Sequence, residues 1–171
     1  ATAPTVTAFS PTSGGIGFTL VTITGTNFLT GATVRFGTSA FVPAQVISAT
    51  QLRVTVPTGA TTGAVSVQTV GGLIGTSRSN FTVVARPVLS TMSPVSGLVG
   101  ATVTITGSNL VGARVLFGSV TITPTINRAG TSLTFPVPNV AAGGYVVSVS
   151  TTGGVSANTP TFTVTAAARL Q

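Results

Sequence analysis

The chain has almost none of the side chains that perform acid–base, nucleophilic or metal chemistry. Its 171 residues contain no Asp, Glu, His or Cys, and all seven cationic residues are Arg. No ordinary general base, carboxylate pair or activated thiol is therefore present, and neither Ser nor the single Tyr145 has a partner that could take its proton. We predict that the chain is not an enzyme and that it has no catalytic residue.

Metal and cofactor sites are excluded on similar grounds. Ca²⁺ prefers carboxylates, and Zn²⁺ prefers imidazole or thiolate ligands. The glycine-rich run Gly14-Gly15-Ile16-Gly17 precedes a predicted strand instead of a helix, so no helix N-terminus is available to bind a phosphate. We predict no metal-binding residue, no cofactor-binding residue and no cofactor.

The cationic side chains are scattered along the chain. They are Arg35, Arg53, Arg78, Arg86, Arg114, Arg128 and Arg169, and they give a net charge of +7. Such a small, dispersed set is not typical of a nucleic-acid-binding surface, so we predict no nucleic-acid partner. Thr, Ser and Gly interrupt every apolar run, so we also predict no membrane insertion.

The absence of carboxylates and Lys allows two explanations. An uncharged surface suits a protein that packs against copies of itself in a fibre or sheath, where charged residues on edge strands would interfere. Alternatively, the sequence was not read from a gene and has lost its acidic and Lys residues, in which case a Ca²⁺ site between the domains stays open.

Composition and periodicity predict an all-β protein. The chain is rich in Thr, Val and Ile, which favour strands, and Gly and Pro separate the apolar segments. Strict alternation predicts strands at 19–24, 34–36, 51–56, 64–69 and 80–84. The predicted core consists of the inward positions Val21, Ile23, Val34, Phe36, Leu52, Val54, Val65, Val67, Phe81 and Val83, with Val103, Ile105, Val115, Phe117, Leu133, Phe135, Val147, Val149, Phe162 and Val164 in the second half. Short strands at this spacing are typical of a two-sheet sandwich of immunoglobulin type.

An internal repeat defines the domain organisation. The run from Pro4 to Gly14 matches the run from Pro87 to Gly97, and Val21-Thr22-Ile23-Thr24-Gly25-Thr26-Asn27 matches Val103-Thr104-Ile105-Thr106-Gly107-Ser108-Asn109. Val34-Arg35-Phe36-Gly37 and Phe81-Thr82-Val83 recur as Val115-Leu116-Phe117-Gly118 and Phe162-Thr163-Val164. We predict two domains, 1–85 and 86–171.

The ordered motifs resemble the IPT/TIG domain in both halves. The resemblance rests on the Ser-Pro-x-Ser-Gly opening, the Val-Thr-Ile-Thr-Gly-x-Asn segment, Val-x-Phe-Gly and the closing Phe-Thr-Val, and it covers 4–84 and 87–165. It implies immunoglobulin-like folds of the kind found in bacterial surface and secreted proteins, plexin-type receptors and some transcription factors. Such domains mostly act as spacers, binding modules or dimerisation surfaces.

The motif residues are interpreted as structural. Gly25 and Gly107, followed by Asn27 and Asn109, predict a turn with positive φ and an Asx hydrogen bond. Tyr145 is predicted to be a half-buried strand aromatic.

The junction through Arg86-Pro87 leaves almost no linker, which predicts two sandwiches arranged as a rod.

We expect a structural module of an extracellular filament, sheath or adhesin, secreted or at the cell surface. Its expected partners are copies of itself or neighbouring domains, which it would contact through low-charge edges and domain ends. The alternative is a cell-surface glycan-binding module, or an accessory module of a larger secreted protein. Exposed aromatic residues clustered on one face would favour that alternative.

Overall fold

The computed structural model describes residues 2–167, which form strands, turns and loops without a helix. The chain divides between Ala85 and Arg86 into two compact units, here called the first and second domains. No helix in the described residues is long and apolar enough to cross a membrane.

The first domain contains nine strands. They are β1 (Thr5–Ser10), β2 (Ser13–Gly14), β3 (Leu20–Thr26), β4 (Thr33–Phe36), β5 (Val42–Pro43), β6 (Gln45–Ser48), β7 (Gln51–Thr55), β8 (Gly63–Gln68) and β9 (Ile74–Val83). One sheet has the order β1-β3-β7-β6, and the other has the order β2-β9-β8-β4-β5.

The second domain contains ten strands. They are β10 (Val88–Ser93), β11 (Ser96–Gly97), β12 (Thr102–Ser108), β13 (Arg114–Phe117), β14 (Val120–Ile122), β15 (Thr125–Ile126), β16 (Ser132–Pro136), β17 (Gly143–Thr151), β18 (Gly154–Val155) and β19 (Thr161–Val164). Its sheets have the orders β10-β12-β16-β15 and β11-β19-β17-β13-β14, with β18 added to β17. The all-β sandwich prediction is confirmed in both domains.

The first segment of each domain belongs to both sheets. β1 pairs antiparallel with β3, and after the Ser10–Pro11 corner β2 pairs parallel with the end of β9. β10 and β11 repeat this arrangement around Ser93–Pro94. Both Ser–Pro peptide bonds are cis. One short segment therefore links the two sheets in each domain.

The alternating positions form the core as predicted, with one exception. Val21, Ile23 and Phe36 are fully buried, as are their counterparts in the second domain. Val83 is only partly buried, because it lies at the last position of β9. The loops add core residues that alternation does not predict, among them Phe28 and its counterpart Leu110.

The strand predictions were incomplete for the last strand of the first domain. We predicted a strand at 80–84, but β9 begins at Ile74 and runs for ten residues. Gly75, Ser77 and Ser79 precede Phe81 in this strand, so the sequence there lacks the alternating apolar residues of a half-buried strand. The register between β8 and β9 shifts between Ala64 and Ser66.

Buried Ser side chains accept hydrogen bonds from main-chain amides where the strands depart from regular pairing. Ser77 Oγ accepts a hydrogen bond from Val65 N at 2.9 Å and donates one to Ser79 O at 2.7 Å. In the second domain, Ser156 Oγ accepts from Val149 N at 3.1 Å. An unpaired amide inside a sandwich would be costly, so each hydroxyl stabilises an irregularity in its sheet.

Candidate functional site

Three Arg side chains make separate contacts within their own domains. The Arg35 guanidinium lies 4.7 Å from the Phe41 ring centroid, and its buried Nε has no hydrogen-bond partner among the described residues. Arg86 Nε donates to Val155 O at 2.5 Å, and Arg114 donates to Thr123 Oγ1 at 2.6 Å. Arg169 lies outside the described residues. No group of three potential metal-binding side chains occurs within residues 2–167.

The Gly-x-Asn motifs form the predicted turn with positive φ and an Asn hydrogen bond to the main chain. The positive φ falls on Asn27 (60°) and Asn109 (58°), and Gly25 and Gly107 do not share it. Each Asn amide donates to a distant carbonyl, Asn27 to Ala3 O and Asn109 to Arg86 O, both at 3.1 Å. The motif therefore ties the strand end to the segment that precedes the first strand of its domain.

The Gly residues of these motifs are required by close main-chain packing. A Cβ at Gly25 would lie 1.8 Å from Thr5 O, and one at Gly107 would lie 2.0 Å from Val88 O. These distances are far below van der Waals contact. The sequence indicates the turn but not which main-chain segment crosses it.

Tyr145 is a half-buried strand aromatic, as predicted. Its ring lies 5.1 Å from that of Phe117, and its hydroxyl donates to Ala141 O at 2.7 Å. Among the described aromatic residues, Phe18 is the one with a largely exposed side chain, at 54%. No face within residues 2–167 therefore carries a cluster of exposed aromatic rings.

Apolar side chains are exposed at matching loops of the two domains. Ile16 and Phe18 precede β3, and Leu29 follows it. Leu98 and Val99 precede β12, and Val111 follows it. Because β3 and β12 are the long strands of their sheets, the two loops of each domain lie at opposite ends of its sandwich.

A groove of about 660 Å³ lies beside β1 in the first domain. Its walls are residues 4–9 of β1 and the residues just before it, and residues 75–79 of β9, together with Thr12. At one position the walls nearly touch, since a Cβ at Gly75 would lie 2.0 Å from Pro4 O. Arg78 is the charged side chain of the lining, and its guanidinium forms no hydrogen bond with a described residue.

Most hydroxyl groups in this groove are already engaged. Thr5 Oγ1 lies 2.6 Å from Thr26 Oγ1, and Thr7 Oγ1 donates to Thr24 O at 3.0 Å. Thr76 Oγ1 lies 3.0 Å from Ser66 Oγ. The side-chain groups of the lining that form no hydrogen bond with a described residue are the Arg78 guanidinium and the hydroxyls of Thr12 and Ser79.

The second domain has a different structure at the corresponding place. The residues before β19 do not run as a strand beside β10, and Asn158 is directed at Leu89 instead. Asn158 Oδ1 accepts from Leu89 N at 3.3 Å, and Asn158 Nδ2 donates to Leu89 O. One side-chain amide thus satisfies both main-chain groups of a single strand residue. Sequence analysis missed Asn158 because nothing local in the sequence indicates that Leu89 is its partner.

These observations define a class of protein, a tandem pair of immunoglobulin-type sandwiches without side chains for acid–base or metal catalysis. A family model assigns the two domains to a narrower group. The IPT/TIG domain model matches residues 4–83 and again residues 87–164. The chain belongs to the IPT/TIG domain family, as its motifs indicated.

Comparison with solved structures gives distant similarities. SGBP-B from a xyloglucan utilization locus of Bacteroides uniformis is 22% identical, with a TM-score of 0.43 over 94% of this chain and 49% of that one. The surface glycan-binding protein PbSGBP-B from Prevotella bryantii is 20% identical, with a TM-score of 0.43 over 95% and 42%. The plexin A4 extracellular region is 11% identical, with a TM-score of 0.38 over 93% and 27%.

The chain spans less than half the length of each of these three proteins. No curated protein sequence matches it.

Proposed function

We propose that this tandem pair is a non-catalytic structural segment of a cell-surface or secreted protein. It would contact neighbouring domains, or copies of itself in a filament, sheath or adhesin, through the ends of its sandwiches. The observation that supports this function is the recurrence of exposed apolar side chains at both ends of each domain. Isolated apolar residues are common on surfaces, but the same loops carry them in both copies of the repeat.

The charge pattern supports the same function. Few charged groups need to be desolvated when such a surface is covered, and the chain has no carboxylate to form ion pairs with its own Arg residues. Burial of apolar area stabilises a contact by about 25 cal/mol per Å². The strength of these contacts therefore depends on how much loop surface the partner covers. Exposed Ile47 on the edge strand β6 adds an apolar group at a sheet edge.

The test is the association state of the full chain, measured by light scattering across a concentration series and by negative-stain electron microscopy. We expect assemblies whose mass rises with concentration. Phe18→Ser and Val111→Ser, which remove apolar groups from one end loop in each domain, should weaken that association. Val146→Thr is the matched control, because Val146 is also exposed but lies within β17.

Monodisperse single chains at every concentration would contradict self-assembly. Equal effects of the loop variants and the β17 variant would contradict the role given to the domain ends.

A second candidate is a glycan-binding module, in line with the names of the similar bacterial proteins. Those similarities are too distant to carry a function to this chain, so this candidate rests on the groove beside β1. Its size and its hydroxyl-bearing rim resemble a polar ligand site more than a packing defect. A glycan array probed with the full chain tests it, and oligosaccharide binding that Arg78→Gln weakens would favour it over the structural function.

A further inference from the structure

The inference concerns Arg35, a cation on the outer face of the sheet β2-β9-β8-β4-β5. Its neighbours on β4, Val34 and Phe36, are fully buried, so the Arg35 side chain points away from the core. On β8 it lies opposite Ser66, and on its other side is Phe41, the residue before β5. The guanidinium lies 4.7 Å from the Phe41 ring centroid, within the range of a cation–π interaction.

The guanidinium of Arg35 forms no hydrogen bond within the part of the chain that the structure describes. Hydrogen bonds from guanidinium groups there are those of Arg86 and Arg114. The Nε atom of Arg35 is buried without a partner. The nearby hydroxyl of Ser66 bonds to Thr76 Oγ1 at 3.0 Å. A buried donor without a partner lowers the stability of a fold, so Arg35 costs the first domain stability.

The second domain shows that the fold does not need a cation at this position. In the repeat, Val34-Arg35-Phe36-Gly37 corresponds to Val115-Leu116-Phe117-Gly118. Leu116 also lies opposite a serine, Ser148, and its neighbour on the other side is Thr121 instead of an aromatic residue. A half-buried apolar side chain is therefore enough to complete this face. A residue that costs stability without serving the fold is typical of a functional site.

We propose that Arg35 binds a carboxylate, the acidic side chain of a partner protein. The Phe41 ring supports the guanidinium, whose parallel N–H groups match the two oxygens of a carboxylate. Because Nε is buried, the edge available to the ligand is the one formed by the Nη atoms. A second copy of this chain could offer no acidic side chain, since the sequence contains none. This inference holds whether or not the chain associates through its domain ends.

The residues beside Arg35 favour a protein surface as the ligand. The adjacent row across the same sheet consists of Pro43, Thr33, Gln68 and Ile74. Pro43 is exposed and Ile74 is 45% exposed, so apolar groups stand at both ends of this row. Arg and aromatic residues with apolar neighbours are typical of the centre of a protein interface. A sugar ring fits less well, because the aromatic ring at this site already faces the guanidinium.

The experiment titrates the full chain with a blocked acidic peptide, acetyl-Thr-Glu-Val-Glu-Thr-amide. The Nε–Hε signals of the Arg side chains are followed by NMR, and the Arg35 signal is assigned by its loss in Arg35→Met. We expect this signal to shift at the lowest peptide concentrations, with a dissociation constant roughly in the millimolar range. The peptide with Gln in place of both Glu residues should bind at least about tenfold more weakly, because it has no charged acceptor.

Variants of the protein test the two parts of the site. Arg35→Met keeps a flexible apolar stem against Phe41 and removes the donors, so binding should fall at least about tenfold. Phe41→Leu removes the ring and should weaken binding by about two- to fivefold. Arg53→Met is the matched control, because it removes the same charge from an exposed position on the other sheet. It should change binding by less than about twofold.

Stability separates binding from a structural role of Arg35. Arg35→Met removes the unpaired buried N–H, so the urea midpoint of the first domain should rise. The midpoint is measured from the intensities of the amide NMR signals of that domain. A lower midpoint would show that Arg35 serves the fold and would overturn the proposal.

Four binding results would also overturn it. They are an Arg35 signal that no peptide concentration shifts, equal binding of the Glu and Gln peptides, and equal losses for Arg35→Met and Arg53→Met. The fourth is trigalacturonate, an acidic oligosaccharide, binding through Arg35 more tightly than the peptide, which would assign the site to an acidic glycan.

Discussion

The two domains share one core and differ beside their first strand. Val21, Ile23 and Phe36 have counterparts of the same type and burial in the second domain, and the β1–β3 register, including its shift, recurs between β10 and β12. The strand that follows β8 runs on as β9 past β1, whereas the residues after β17 form the short β18 and a loop. The repeat therefore conserves packing inside the sandwich and allows variation at its edge.

The difference concerns the main-chain groups on the outer side of the first strand. Val6 and Leu89 present the same two main-chain groups, and only the second domain meets them internally, through Asn158. The first domain instead leaves a groove beside the strand. In the first domain β9 runs beside this edge, and in the second domain the Asn158 side chain bonds to it.

The largest expected effect tests the shared core. Phe117→Ala should destabilise the second domain by about 3–5 kcal/mol, because it empties a fully buried site. Phe36→Ala in the first domain should cost about 1–2 kcal/mol less. Phe117 lies within 6.3 Å of three aromatic rings, those of Phe135, Tyr145 and Phe162, whereas Phe36 has a ring contact with Phe81.

The measurement uses denaturant unfolding of the full chain. Tyr145 is the single tyrosine and no tryptophan is present, so its fluorescence reports the second domain while circular dichroism reports both. Exposed Phe18→Ala is the control and should stay near wild type. Equal losses for the two core variants would show that the additional ring contacts contribute nothing.

The next effect tests the closed edge. Asn158→Ala should cost the second domain about 1–3 kcal/mol, because it leaves the N–H and C=O of Leu89 without their partner. Tyr145 fluorescence follows the unfolding, and hydrogen exchange at the Leu89 amide should become faster than in the wild type. Thr159→Ala removes a neighbouring exposed side chain and serves as the control. Unchanged exchange at Leu89 would contradict the closing role of Asn158.

A smaller effect is expected at the hydroxyl of Tyr145. Tyr145→Phe keeps the ring against Phe117 and removes the hydrogen bond to Ala141 O, so we expect a loss of about 0.5–1.5 kcal/mol. Circular dichroism must follow this variant, since it lacks the fluorescent reporter. The first domain has Gly63 at the matching position in its sheet and should unfold as in the wild type.

The smallest effect is the response to pH, and here the domains should not differ. Stability depends on pH when folding changes the proton affinity of a group, and the chain has no carboxylate, imidazole or thiol side chain. Between about pH 4 and pH 8 we expect the free energy of unfolding to change by less than about 0.5 kcal/mol. A clear loss of stability in acid would show that carboxylates are present in the protein.

The sequence was sufficient to predict the sandwiches, their repeat and most of the core, because alternation reflects burial directly. Val21 and Ile23 are apolar, β-branched and two residues apart, and both are fully buried. The part of β9 before Asn80 was not predicted because Gly75, Ser77 and Ser79 face main chain or solvent, where no apolar side chain is needed.

The groove was beyond sequence reasoning for a related reason. It depends on which way the main-chain groups of Val6 point, and that direction is set by pairing with a strand some twenty residues away. Asn158 was not predicted because nothing local in the sequence indicates that Leu89 is its partner.

The parallel pairing of β2 with the end of β9 has a mechanical consequence. Thr82 N donates to Thr12 O and Val84 N donates to Gly14 O, which joins the beginning of the first domain to its end. Thr163 and Thr165 form the same links with Val95 and Gly97 in the second domain. A pull on the two ends of either domain drags these strands past each other in shear, so the bonds bear the load together instead of opening one by one.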